Sequence, residues 1–245
     1  MQKSFLSITI LLLLAAIPAL AQFSDTTNYH VIFNGTGSAN RAPEGSSYLL
    51  NNGLRFEVKK KSIALNVSNT WIYGKSNGAI TNNDYSSSFD FNLYKAMPHA
   101  YYWGLANYNT SFSLKINNQL LAGAGIAYSI LDRPNAYLNI SDGILYDLSD
   151  INTSDTTREV YHTYRNTLRL QMHFVIKDLF IIDSGNFWQP SLTRKNDYIL
   201  RTSFGLGFKV NKWLALNSSL AYNKISRTRA ENLLLTYGLK FEKYF

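Results

Sequence analysis

The feature that most constrains this chain is an alternation of period two, sustained over unusually long runs. Ile63, Leu65, Val67, Trp71 and Tyr73 alternate with Ala64, Asn66, Ser68, Thr70 and Ile72. Leu168, Leu170, Met172 and Phe174 alternate with Arg169, Gln171 and His173, and Tyr198 through Val210 repeats the pattern. Successive side chains of a strand point to opposite faces, so each run has one apolar face and one polar or small face. The runs reach about 10–15 residues, whereas soluble strands average about 5–6 and membrane-barrel strands need about 9–11. Twelve such segments lie near 28–37, 47–59, 62–74, 84–95, 100–110, 117–130, 135–147, 158–174, 178–188, 197–210, 213–224 and 232–245.

The connections alternate as well. Lys60-Lys61, Met97-Pro98-His99, Asp132-Arg133-Pro134, Ile176-Lys177 and Asn211-Lys212 read as short turns. Between them come polar stretches read as long loops, at Ser38–Ser46, Lys75–Asn83, Asp150–Arg158, Gln189–Lys195 and Ser226–Asn232, with a poorly marked one near Ser111–Asn117. Short turns on the periplasmic side and longer loops outside are the habit of outer-membrane barrels. No stretch after the N-terminal region offers the roughly 18 apolar residues of a spanning helix. The 17 Tyr, 14 Phe and 4 Trp suit the aromatic girdles of a barrel. The pattern predicts an all-β fold, a single antiparallel transmembrane β-barrel of about twelve strands, with ten or fourteen as alternatives.

The N-terminus carries an export address. Lys3 precedes the apolar run Phe5–Leu20, and Ala19 and Ala21 bracket a small-x-small cleavage pattern. Residues 1–21 are therefore expected to leave as a signal peptide, so that the barrel domain begins at Gln22 and covers 22–245. Cysteine is absent, which excludes a disulfide framework, a thiolate metal site, a cysteine nucleophile and a lipid-anchored N-terminus. The formal net charge is +8; for an exported chain this points away from nucleic acid and toward membrane lipids or dispersed solubilising charge. At the other end, Leu233, Leu235, Tyr237, Leu239, Phe241 and Phe245 share one face. Tyr237, Leu239, Phe241 and Phe245 are read as the signal presented to the barrel-assembly machinery. Lys243 on that face suits the periplasmic rim, and Asp142 among Leu138, Ile140 and Ile144 is expected to be re-aimed by a bulge at Ser141-Asp142-Gly143.

The segment Gln119-Leu120-Leu121-Ala122-Gly123-Ala124-Gly125-Ile126-Ala127-Tyr128, the stretch Leu138–Tyr146, Arg165-Asn166-Thr167-Leu168-Arg169 and the closing Gly238-Leu239-Lys240-Phe241 resemble the salt-induced outer-membrane protein family, a domain of unknown function (481). The resemblance implies an outer-membrane barrel of envelope adaptation with no assigned activity. It carries over no catalytic residue.

Catalytic and cofactor signatures are missing. His30, His99, His162 and His173 form no metal-binding spacing and read as scattered surface histidines, so no metal or cofactor is expected. A phospholipase-like barrel would need a serine beside a histidine on the outer wall. His162 falls on the lipid-facing register, but no Gly-x-Ser-x-Gly elbow accompanies it. The glycines of Gly123-Ala124-Gly125 and Gly205-Leu206-Gly207 lie inside strands and read as small inward residues rather than phosphate loops.

The lumen is the remaining candidate. Alternation turns Arg55, Glu57, Asp90, Arg165, Arg169, Arg201, Lys209, Lys240 and Glu242 inward, and Tyr102 and Tyr108 are expected to join the bulky inward groups. These charges make either an ion-pair network that braces the barrel or a path biased weakly toward anions. Three readings follow: a narrow solute channel, a structural or surface-interaction barrel without transport, and a membrane-embedded hydrolase.

Overall fold

The computed structural model describes residues 28–60, 62–97, 99–133, 135–154 and 156–245; the expected signal peptide and its cleavage site lie outside them. Thirteen strand segments follow in order: β1 (Tyr29–Ala42), β2 (Gly45–Lys60), β3 (Ile63–Ser76), β4 (Ala79–Met97), β5 (Ala100–Ser111), β6 (Ile116–Arg133), β7 (Ala136–Asn152), β8 (Arg158–Asn166), β9 (Leu168–Ile176), β10 (Phe180–Pro190), β11 (Tyr198–Lys209), β12 (Leu214–Ile225) and β13 (Ala230–Tyr244). Both β8 and β9 pair with β7, Ile144 opposite Asn166 and Ser141 opposite Arg169. Those two pairs share one register, so β8 and β9 are halves of a single strand interrupted at Thr167. The barrel thus has twelve strands. All neighbours are antiparallel, and β1 pairs β13 to close the ring. Closure of the ring removes free sheet edges from its closed body, the condition for crossing hydrocarbon with strands.

The outer surface follows from the alternation. Phe33, Leu54, Val67, Phe89, Leu170, Leu206, Leu220 and Leu235 are all exposed large apolar side chains on outward positions. Tyr29, Phe180, Phe208 and Trp213 ring the end where β1 starts and β13 finishes, and Tyr48, Trp71, Tyr85, Tyr108, Tyr164 and Trp188 ring the other. An apolar band between aromatic girdles is the outer wall of a transmembrane barrel, and the protein resides in the outer membrane. Among the described residues no helix is long and apolar enough to cross a bilayer.

Several sequence expectations need correction. Ser38–Ser46 and Lys75–Asn83 are not long loops: β1 and β2 pair as far as Ala42 opposite Gly45, and β3 and β4 as far as Ser76 opposite Ala79. The polar composition there belongs to strand extensions standing in water above the membrane. The turn between β3 and β4 is only Asn77-Gly78, both at positive φ, the pair favoured in tight hairpins. No bulge re-aims Asp142, because Gly125–Gly143, Ile126–Asp142 and Ala127–Ser141 run in unbroken register; the β6–β7 shifts lie instead between Ile116 and Asn118 and between Ser129 and Leu131. Asp142 faces outward, its carboxylate accepting from the Asn166 side chain at 2.6 Å and the Gly143 amide at 2.9 Å. Tyr102 and Tyr108 also face outward and are exposed, so the inward aromatics of β5 are Tyr101 and Trp103.

Candidate functional site: the lumen

The lumen is filled unevenly. On the β5–β7 side, Tyr101, Trp103, Leu121, Ala127 and Leu145 form a buried apolar cluster, with Tyr94 and Leu105 packed against it. Gly125 and Gly143 make room for it. A Cβ built on either would come within 2.6 or 2.5 Å of the Trp103 ring and collide with a carbonyl oxygen of the adjacent strand. Glycine is needed at both positions for the sheet to fold so closely around an indole.

At the extracellular end a second apolar cluster, Leu114, Ile116, Ile151, Ile199 and Ile225, joins the β5–β6 turn and β7 to β11 and β12 across the interior. Polar bridges run beside it. The Asn232 amide donates to Ser113 Oγ at 2.7 Å, and Arg201 donates to the side-chain oxygens of Gln119 at 3.0 Å and Asn107 at 3.4 Å. These contacts link strands on opposite walls, so the extracellular half is narrowed by side chains rather than by a long folded loop.

All nine sequence-predicted lumen residues lie on inward positions, but their environments differ. Arg165 is completely buried. Its Nε donates to Asp147 at 2.7 Å, its terminal nitrogens to Asp197 at 3.0 Å, the Gln189 carbonyl at 3.2 Å and the Tyr161 hydroxyl at 3.3 Å. Asp197 also accepts from Arg227 at 2.6 Å, and Arg227 reaches Glu159 at 2.7 Å while stacking over Tyr161 at 3.5 Å. Arg169 lies 4.9 Å from the Trp103 ring centroid and 5.2 Å from that of Phe187, with Asp90 at 3.9 Å. Near the periplasmic end His30 Nδ1 donates to Glu57 at 2.8 Å, His30 Nε2 lies 3.6 Å from Glu242, and Lys240 pairs with Glu242 at 2.8 Å. Arg55 sits 3.5 Å from Glu57 with its side chain 53% exposed. Arg201 and Lys209 have no carboxylate within ion-pair distance among the described residues.

Sequence reading missed several participants. His30 is buried and His173 donates to Asp183 at 2.6 Å while stacking on Tyr137 at 5.3 Å, so neither is a surface histidine. Strict alternation places both inward and would have found them. Asp147, Asp197, Glu159 and Arg227 were overlooked because their partners come from other strands and loops. His162 does face outward, 6.2 Å from the Tyr146 ring, and among the described residues it hydrogen-bonds to no serine.

The family model described as "Protein of unknown function, DUF481" matches residues 46–239. The chain belongs to that family. Among solved structures, this DUF481 barrel is similar to the translocator domain of the autotransporter NalP from Neisseria meningitidis, at 12% identity and TM-score 0.51 over 87% of this chain and 88% of that one. It is similar to the NanC porin, at 8% identity and TM-score 0.52 over 89% and 99% of the two chains. It is also similar to an outer membrane channel from Pseudomonas putida F1, at 12% identity and TM-score 0.52 over 94% and 100%. At such identities the likeness shows the fold alone. No curated protein matches the chain.

Proposed function

We propose that this barrel is a narrow channel for small polar solutes, constricted in its extracellular half and weakly biased toward anions. The supporting observation is that inward charges remain accessible to water: the side chains of Arg55 and Asp183 are 53% and 54% exposed although both face the interior. An interior packed solely for bracing would bury such groups rather than leave half of each side chain in water. The neighbouring inward positions carry Gly53 and Ser68 on β2 and β3, and Gly185, Ser203, Gly205 and Ser219 on β10 to β12, small residues that leave space along both of these walls of the lumen. The anion bias comes from Arg201 and Lys209, which form no ion pair with a carboxylate among the described residues. Low-dielectric walls strengthen the field of such fixed charges, while the paired carboxylates keep the net preference small.

Planar-bilayer recording tests the reading. Wild-type protein gives a small steady current with a reversal potential displaced weakly toward the anion side in a salt gradient. Ile199→Ala with Ile225→Ala, which opens the extracellular cluster, raises the conductance. Absence of current from both proteins refutes the channel. The competing reading is a structural barrel without transport, favoured by the wholly buried Arg165 network. A hydrolase reading retains only the position of His162 and would require lipid turnover in detergent that is lost on replacing it.

A further inference from the structure

Two water-accessible charges of opposite sign face the lumen from nearly opposite walls. Arg55 stands on β2 and Asp183 on β10, and around the closed ring these strands are separated by β1, β13, β12 and β11 on one side. Their degree of exposure is nearly equal. Each is held by a group that leaves its solvent side open: Arg55 leans on Glu57, which is itself occupied by His30, and Asp183 uses one oxygen for His173 Nδ1. Arg55 stands five residues from the periplasmic end of β2 at Lys60 and Asp183 three from that of β10 at Phe180, so both belong to the periplasmic half of the path.

The residues around them leave both charges open to the lumen. Gly53 is the inward residue next to Arg55 on β2, and Gly185 the one next to Asp183 on β10. Gly205 lies directly opposite Asp183 on β11, where the nearest atom to a Cβ would be the Asp183 Cβ at 3.6 Å. Ser203, the next inward residue on β11, is exposed. With bulky groups at these positions the cation and carboxylate would be buried or shielded. With glycine and serine beside them both stay open to the lumen, where low-dielectric walls concentrate the field of fixed charges.

We propose that Arg55 and Asp183 form a transverse-field filter that favours small zwitterions, which present a carboxylate to one wall and an ammonium to the other. The inference rests on the channel reading and names its solute class. A zwitterion aligned across the lumen gains from both walls. A simple anion gains at Arg55 and loses at Asp183, a simple cation the reverse, and a neutral molecule of the same size gains little from either. Net selectivity between anions and cations therefore stays weak while discrimination by dipole is strong.

The test is flux into proteoliposomes of four solutes of similar size: glycine as zwitterion, glycolate as anion, ethanolamine as cation and glycolamide as neutral reference. Glycine enters faster than glycolamide by about tenfold, the lower end of what a charge-lined, low-dielectric cleft achieves. Arg55→Gln lowers glycine and glycolate flux, and Asp183→Asn lowers glycine and ethanolamine flux. The double variant brings glycine down to the rate of glycolamide, whose own flux is retained. The same series in the Ile199→Ala/Ile225→Ala background keeps the extracellular constriction from limiting entry, and heat-modifiable gel mobility confirms that each variant is folded. Equal entry of glycine and glycolamide in the wild-type filter, or a glycine preference that survives the double variant, overturns the filter alone. Failure of all four solutes to enter in either background overturns the channel reading and the filter with it.

Discussion

Arg165 offers the sharpest test of how this barrel is held together. Its guanidinium is 0% exposed and lies against the carboxylates of Asp147 and Asp197, which are nearly as inaccessible. Removing one partner of a buried ion pair leaves the other charge uncompensated, at a cost of about 3–5 kcal/mol. Asp197 keeps Arg227 at 2.6 Å, so in Arg165→Gln the penalty falls on Asp147. Asp147 retains hydrogen bonds from Ser149, Tyr161 and Gln119, which places the expected loss at the lower end, about 3 kcal/mol. Arg165→Lys keeps the charge but loses the planar fork that serves four acceptors at once, and falls between. Arg165→Met with Asp147→Leu removes both charges together and recovers most of the loss, since apolar replacement of a whole buried pair is often neutral. Urea unfolding of the refolded protein in lipid vesicles, followed by tryptophan fluorescence, reads these differences. An Arg165→Gln protein within about 0.5 kcal/mol of wild type, the range of an ordinary surface change, would refute the reasoning. So would a double variant weaker than the single one.

Two further outcomes test the outer wall and the glycine floor beneath Trp103. Gly125→Ala or Gly143→Ala forces a methyl group into a neighbouring carbonyl and the indole, and lowers the yield of heat-modifiable barrel, whereas Gly104→Ala, whose nearest atom is 3.8 Å from the new Cβ, assembles normally. Similar yields from all three would show that the sheet does not need its close fold at β6–β7. Asp142→Leu replaces a carboxylate on the lipid-facing wall and stabilises the barrel by about 1 kcal/mol, because acidic groups on that face cost less than the basic residues whose penalty is largest at mid-bilayer. A loss of stability on the same urea curve would mean that the Asn166–Asp142 hydrogen bond outweighs the cost of keeping the charge in lipid.

The fold was largely legible because a barrel is specified locally. Each strand needs only its own alternation to decide which side chains meet lipid, and the ring closes by joining neighbours in chain order. That is why twelve segments and their facing could be read directly, including the inward direction of Arg55, Arg169 and Arg201. The misreadings came where local pattern has two meanings. A polar stretch such as Lys75–Asn83 is a loop if it leaves the sheet and a strand if it continues above the membrane, and composition is alike in both. Tyr102 and Trp103 are adjacent aromatics of which one must face lipid and the other the lumen; only an alternation traced through Gly104 and Ala106 assigns them. Asp142 was expected to bulge away because a charge in lipid is costly, yet the cost is reduced by two donors on its own wall.

The lumen was less legible, for a different reason. Its chemistry depends on which inward residue meets which across the barrel, and those partners are remote in the chain: Arg201 bridges to Asn107 and Asn232 to Ser113. Alternation says that a charge faces inward but not whether it ends in a carboxylate, an aromatic sandwich or water. Three arginines of equal sequence weight consequently have three roles. Arg165 is neutralised within a buried network and braces the wall. Arg169 is sandwiched between rings, 3.9 Å from Asp90. Arg55 alone of the three keeps its side chain half in water, although it pairs with Glu57. A field along the path is set by charges that solvent can still reach, so the number of inward arginines is a poor guide to selectivity. The decisive quantity is their residual exposure, and by that measure the filter is the Arg55–Asp183 pair rather than the arginine-rich strand that the sequence makes most conspicuous.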